Sequence, residues 1–213
     1  ARDTLMKFFI IGFIFISLNL SAEVAFFSDS GIRGKPYAEI VTDLQKLEKE
    51  YPKLISIYKY GETRKGRPLV AVRIKAPLKR KKSQRAVFLS GSIHGNEYLN
   101  IADRLPEWFA KNAKTDKNLF GYLSSGGVIY IVPIINPDGY ESRSRYNSRG
   151  KDLNRDFSIK GAKHNAFKEL ETKLLAEFVE KEVSKNNITL EVTVDYHCCD
   201  GSLLYPWSYK RER

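Results

Sequence analysis

Residues 86–97 read AVFLSGSIHGNE, and this stretch decides the fold. Ala86 to Ser90 is an unbroken apolar run, Gly91 and Gly95 flank the turn after it, and His94 and Glu97 stand where the strand ends. A continuous apolar run of this length suits a strand buried on both faces, as in a sheet covered by helices. Val128 to Ile135 (VIYIVPII) is a second such run. Working outward, Tyr37, Ile40, Val41, Leu44 and Leu47 recur with a helical period that stops before Pro52. Leu54 to Tyr60 and Leu69 to Ile74 read as strands around the polar turn Gly61–Pro68 (GETRKGRP), which predicts a hairpin. The basic segment Lys79–Arg85 (KRKKSQR) reads as a solvated hairpin tip between apolar runs. Glu97–Ala113 predicts a helix that Pro106 kinks or breaks, and Ala166–Lys185 predicts a longer one carrying Phe167, Leu170, Leu174, Phe178 and Val179. Thr189–Tyr196 alternates strictly, so Leu190, Val192, Val194 and Tyr196 are expected on one face of a strand that ends at His197. Strands interleaved with helices predict an α/β fold, with a mixed, largely parallel central sheet flanked by helices.

The 213 residues carry 36 Lys and Arg against 25 Asp and Glu, a formal charge of +11, and 42% are hydrophobic, which excludes disordered and collagen-like classes. No internal repeat or composition shift marks a second domain. From Met6, MKFFIIGFIFISLNLSA has one basic residue, an apolar run and a small-residue end, the pattern of a secretory signal cleaved after Ala22. Residues 1–22 are therefore expected to be upstream residues plus a signal peptide, and 23–213 the folded portion. An uncleaved anchor is the alternative, disfavoured because the run is short for a bilayer. Export to a secreted or periplasmic location argues against nucleic acid as a partner; a monomer is expected, with no stable membrane anchor after signal cleavage. The two cysteines, Cys198 and Cys199, are adjacent, which excludes a disulfide framework and an all-Cys zinc site. They read as small free thiols, with a strained vicinal disulfide or a dimer-forming thiol as alternatives and zinc ligation last.

His94 and Glu97 alone also suit a helix-start carboxylate beside a surface His. Their place at a strand end changes the reading, because ligands of open α/β sheets collect there, and His197 ends another strand. Two His and one Glu are a three-ligand set suited to catalytic zinc, with one position left open. His164, the third His, reads as an exposed surface residue. Residues 136–157 (NPDGYESRSRYNSRGKDLNRDF) carry four Arg; this is either a solvated loop or a place for bidentate carboxylate recognition.

His94-Gly-Asn-Glu97, Asn136-Pro-Asp-Gly139, Arg145-x-Asn147, Asp152-Leu-Asn-Arg155 and His197 followed by Tyr205-Pro206 occur in the order found in zinc carboxypeptidases of the carboxypeptidase A type, and the hairpin with GETRKGRPL resembles that family's opening. The resemblance spans roughly residues 36–207. It implies one Zn2+ per chain held by His94, Glu97 and His197, and Arg145 as the catalytic oxyanion-stabilising residue, with Arg143 and Arg149 as rivals. It implies that Asn154 and Arg155 grip the substrate's C-terminal carboxylate and that Asp152 accepts a hydrogen bond from His94. The expected substrate is a peptide, or a peptidoglycan-derived stem peptide, with a free C-terminal carboxylate. The family's general base is a Glu well downstream of the last His. It is expected to lie outside this sequence, which then reads as a fragment with its C-terminal part missing and little activity of its own. Competing expectations are a zinc amidohydrolase of the acylamino-acid deacylase type and a non-catalytic peptide- or glycan-binding relative.

Overall fold

The computed structural model describes residues 34–78, 84–98, 104–157 and 166–198. The first helix, α1 (Tyr37–Glu50), buries Tyr37, Ile40, Leu44 and Leu47, the stripe that the spacing predicts. A hairpin follows: β1 (Ile55–Glu62) pairs antiparallel with β2 (Pro68–Lys75), with a bulge between Lys59 and Gly61. Next come β3 (Gln84–Gly91), α2 (Leu105–Asn112), α3 (Lys117–Ser124), β4 (Gly127–Val132) and α4 (Pro137–Ser142). A 3₁₀ turn (Leu153–Arg155), α5 (Leu170–Asn186) and β5 (Ile188–Tyr196) complete the described order.

Among the described residues the sheet has the strand order β1-β2-β4-β3-β5. The β1–β2 and β2–β4 pairings are antiparallel, while β3 runs parallel to both β4 and β5. The sheet is thus mixed, and helices cover both of its faces. One core holds Ile40, Leu44, Val72, Ile74, Leu89, Ile129 and Ile131 with residues of α1, α2 and α3; the other holds Phe88, Val128, Tyr130 and Val132 with Leu175 and Phe178 of α5. All six residues of β4 are buried, which is why the sequence shows no alternation there.

Four expectations need correction. β2 and β3 are not neighbours, because β4 lies between them, so the basic segment joining them is a crossover and not a hairpin tip; its residues 79–83 lie outside the described set. Glu97 is not helical: its backbone N–H turns back onto His94 O (3.1 Å), and α2 begins only at Leu105, with Pro106 in its first turn, where the missing N–H costs nothing. The strict alternation of 189–196 fails at a register shift opposite Ala86/Val87. Leu190 packs with the α5 core, Val194 and Tyr196 pack with the opposite one, and Val192 is exposed. An extra residue in one strand flips every side chain beyond it, and here that decides where Asp195 and His197 point. Finally, α3 lies in a stretch for which no element was expected; Asp116 caps it by accepting from Leu119 N (2.8 Å).

The quoted sequence motifs pack directly on one another. Ile135 N and Asn136 N donate to Gly91 O and Ser92 O, carrying the parallel ladder beyond the strand ends. Asn136 caps α4 through Gly139 N (2.9 Å) and donates from Nδ2 to Ile93 O (3.3 Å). Asp138, wholly buried, accepts from Thr63 Oγ1 (2.9 Å) and Arg67 Nη1 (2.7 Å), which locks the hairpin turn onto α4. Gly95 lies so close to α4 that a Cβ there would sit 2.0 Å from the backbone carbon of Gly139. Gly95→Ala is therefore expected to lower stability by about 1–3 kcal/mol or more. Gly121→Ala, in open space on α3, should raise it by about 0.5–1 kcal/mol. Urea unfolding of the two variants checks the contrast.

Candidate metal centre

β3 and β5 run parallel and in register, Ser90 opposite Asp195 and Gly91 opposite Tyr196, so both strands deliver their following residues to the same end of the sheet. His94 comes from the turn after β3 and His197 from the residue after β5. Glu97 stands between them. His94 Nδ1 lies 2.8 Å from Glu97 Oε1, and His197 Nδ1 lies 3.1 Å from Glu97 Oε2. The two rings meet edge to face with centroids 4.9 Å apart. One donor atom from each of the three residues falls within 4.8 Å of the others. Tetrahedral zinc with bonds of about 2.0–2.1 Å needs donors about 3.3 Å apart, so small side-chain adjustments suffice.

The outer nitrogens decide the fit. His94 Nε2 faces Asp152 Oδ1 (3.2 Å) and His197 Nε2 faces Asp195 Oδ2 (2.9 Å). Each carboxylate is placed to accept the Nε2 proton, so that Nδ1 would be free for an ion once it gives up its own, the arrangement that metal-binding imidazoles require. His94 and Glu97 are buried, while His197, just after the outermost strand among the described residues, is exposed, so the cluster opens to solvent there. Two imidazole nitrogens and one carboxylate form a donor set for a single zinc with an open position.

Burial pushes the Glu97 carboxyl up, but hydrogen bonds from His197 and His94 outweigh it and hold it below the usual carboxylate range. Burial likewise raises Asp152, and the Arg145 guanidinium and the nearby His94 bring it below its ordinary value. Between Asp195 and Glu97, His197 is pushed up to about 10.

The remaining predicted residues lie in the loop after α4. Arg145 is within this cluster: Nε and Nη2 both reach Asp152 Oδ2 (3.0 and 2.9 Å), and Nη1 lies 3.3 Å from His94 Nδ1. Its rivals point elsewhere. Arg149 pairs with Glu169 (3.3 Å), and Arg143, in the left-handed region as the cap of α4, lines a small pocket with Gly34, Tyr98 and Glu141. Asp152 also caps the 3₁₀ turn through Asn154 N (3.0 Å), so Asn154 and Arg155 follow directly from the residue that holds His94. Arg155 is exposed and donates to Asn154 O (3.1 Å). Asn147 staples the loop. Its Nδ2 donates to Glu169 Oε2 (2.9 Å), and its Oδ1 accepts from the backbone of Arg149 and Lys151 (3.0 Å each). Asp156 binds the backbone of Lys168 and Glu169, tying the loop's far end to the residues just before α5.

Two contacts of the cluster are not legible in the sequence. Asp195 reads there only as part of an alternating strand, although its spacing of two from His197 is an available signal. Cys198 is disulfide-bonded, which corrects the free-thiol reading for that residue, and its backbone N–H donates to Glu97 Oε2 (3.3 Å). Cys199, His164, the Tyr205-Pro206 turn and residues 1–22 lie outside the described residues.

The zinc carboxypeptidase family profile (peptidase M14) matches residues 40–213. The chain belongs to this family. Among curated relatives, carboxypeptidase A6 of Mus musculus is 28% identical over 207 residues, covering 81% of this chain and 44% of the relative. Carboxypeptidase SOL1 of Arabidopsis thaliana is 32% identical over 121 residues, covering 54% and 24%. The solved structure of thrombin activatable fibrinolysis inhibitor superposes with a TM-score of 0.70 at 22% identity, covering 83% of this chain and 50% of that one, a likeness of fold. The chain spans less than half the length of the curated relatives just named.

Zinc must displace the proton that His197 holds below pH of about 10. In the metal-free chain that proton stabilises the fold fully below the usual imidazole range, and the contribution is lost as pH rises through about 10. Zinc uptake at pH 7 is therefore expected to release protons, and apparent affinity to climb steeply between pH 6 and 9. Titration calorimetry in buffers of differing ionisation enthalpy reads both; an affinity independent of pH would contradict the assignment.

Proposed function

We propose that this chain supplies the metal centre and the carboxylate-recognising loop of an exported metallocarboxypeptidase, a hydrolase that removes the C-terminal residue from peptides. One observation carries the reading: a His-Glu-His donor set whose first ring is shared by Asp152 and Arg145 at hydrogen-bond distance. A zinc with three protein donors supplies an activated water of pKa about 7 and polarises a carbonyl.

The chain's own residues do the rest. Asp152 holds His94 and Arg145 at once, which keeps the guanidinium beside the coordination space. Arg145 Nη1, beside His94 Nδ1, would be placed to reach the scissile carbonyl oxygen and stabilise its growing charge; loss of one such donor costs about 10²- to 10³-fold in turnover. Arg155, exposed and forked, takes the free carboxylate with help from Asn154 and selects a chain end over an internal bond. The apolar stretch after Met6 supports an exported location, where peptides and cell-wall stem peptides are both substrates of this chemistry.

The test compares an N-blocked dipeptide with its C-terminal amide on the zinc-loaded protein. The free acid should bind about 10- to 100-fold more tightly, and Arg155→Ala should erase the difference, because a charge-assisted hydrogen bond contributes about 1.5–3 kcal/mol. Equal binding of acid and amide would refute the exopeptidase reading.

A further inference from the structure

His197 is the exposed ligand of the three, and it follows β5, the outermost strand among the described residues, so its ring has less packing around it than that of buried His94. Its Nε2 nevertheless meets Asp195 Oδ2 at 2.9 Å. Asp195 is itself held: Ser90 Oγ donates to its other oxygen, Oδ1, at 2.8 Å. Ser90 is buried on β3 and stands directly opposite Asp195 in the parallel register, so the two side chains rise from the same face of neighbouring strands. Two residues beyond Asp195, just past the end of β5, the chain presents His197 on the same side. The register shift earlier in β5 is what brings Asp195 and His197 to this side.

We propose that Ser90 and Asp195 form a positioning relay for the metal centre: Ser90 fixes Asp195, and Asp195 fixes the ring plane and tautomer of His197 so that its Nδ1 faces the ion. The relay is the counterpart, on the exposed ligand, of the Asp152 contact on the buried one. Each imidazole is then oriented by an acid anchored to backbone or sheet, Asp152 through Asn154 N and Asp195 through Ser90. The three carboxylates of the cluster outnumber its one guanidinium, an excess suited to a divalent cation. Asp195 lies outside the donor set and acts through His197. The proposal rests on the zinc reading of His94, Glu97 and His197.

The experiment measures zinc affinity of the whole chain by competition with a chromophoric chelator, together with the visible spectrum of the cobalt(II)-substituted protein. Asp195→Ala should weaken zinc about 10- to 100-fold and shift the cobalt bands, the cost typical of losing a carboxylate partner of a ligating His. Asp195→Asn, whose amide oxygen still accepts from Nε2, should recover most of the affinity. Ser90→Ala should give a smaller loss of the same sign. Glu191→Ala, which removes an acid on the same strand that pairs with Arg85, should leave both readouts unchanged. Wild-type affinity and spectrum in Asp195→Ala overturn the relay, as does an equal loss in Glu191→Ala, which would mark simple strand disruption. If Asp195→Ala does not fold, loss of affinity in Asp195→Asn as severe as in His197→Ala overturns it too. A wild-type chain that binds no zinc removes the metal reading itself and the relay with it.

Discussion

A single carboxylate between two imidazoles is the constraint on which this structure turns. Glu97 reaches His94 with one oxygen and His197 with the other, although a hundred residues of chain separate its partners. Such a contact forms only if two strands run parallel, in register and side by side, and end at the same level. The β3–β5 pairing meets that demand, and β4 on the other side of β3 brings α4 and the Arg-bearing loop to the same edge. The sheet therefore does more than fill a core. Its order converts distant sequence positions into one coordination sphere.

The second layer is built from backbone proximity. Gly95 against Gly139 allows the ligand turn to rest on α4, Asp138 ties α4 to the first hairpin, and Asn147 ties the loop to the residues that open α5. None of these residues needs to touch a substrate. They determine where Arg145 and Asp152 stand, which explains why short stretches far apart in the sequence read as one pattern. Glu171 shows the cost of this tight polar layer: burial first, then its acidic neighbours, raise its carboxyl above the ordinary range, and its Oε1 meets no hydrogen-bond partner among the described residues.

The sequence made legible the strand at 86–90, the strand in the run 128–135, which ends at Val132, the helix beginning near Tyr37, and the ligand set His94, Glu97 and His197; the helix read over 166–185 begins only at Leu170, with Phe167 at positive φ before it. These rest on local signals: unbroken apolar runs, helical periodicity, and metal-binding residue types at strand ends. What escaped depends on neighbours that a one-dimensional reading lacks. The segment after β2 looked like a tip because β4, fifty residues on, slots between β2 and β3. The faces of β5 were misread because strict alternation assumes no bulge, and the bulge is set against Ala86 and Val87 of another strand. Asp195 was hidden by the same error, since its worth depends on sharing a face with Ser90 and His197. Which of Arg143, Arg145 and Arg149 stands beside His94 depends on distant partners, Asp152 for Arg145 and Glu169 for Arg149.

The most direct test of this account is X-ray absorption at the zinc edge of the metal-loaded chain. Two imidazole nitrogens and carboxylate or water oxygens at about 2.0–2.2 Å, with no sulfur shell, are predicted, and His197→Ala should remove one imidazole. A scatterer at about 2.3 Å, the distance of a thiolate, or a spectrum untouched by that substitution would contradict the claim that His94, Glu97 and His197 together hold the ion.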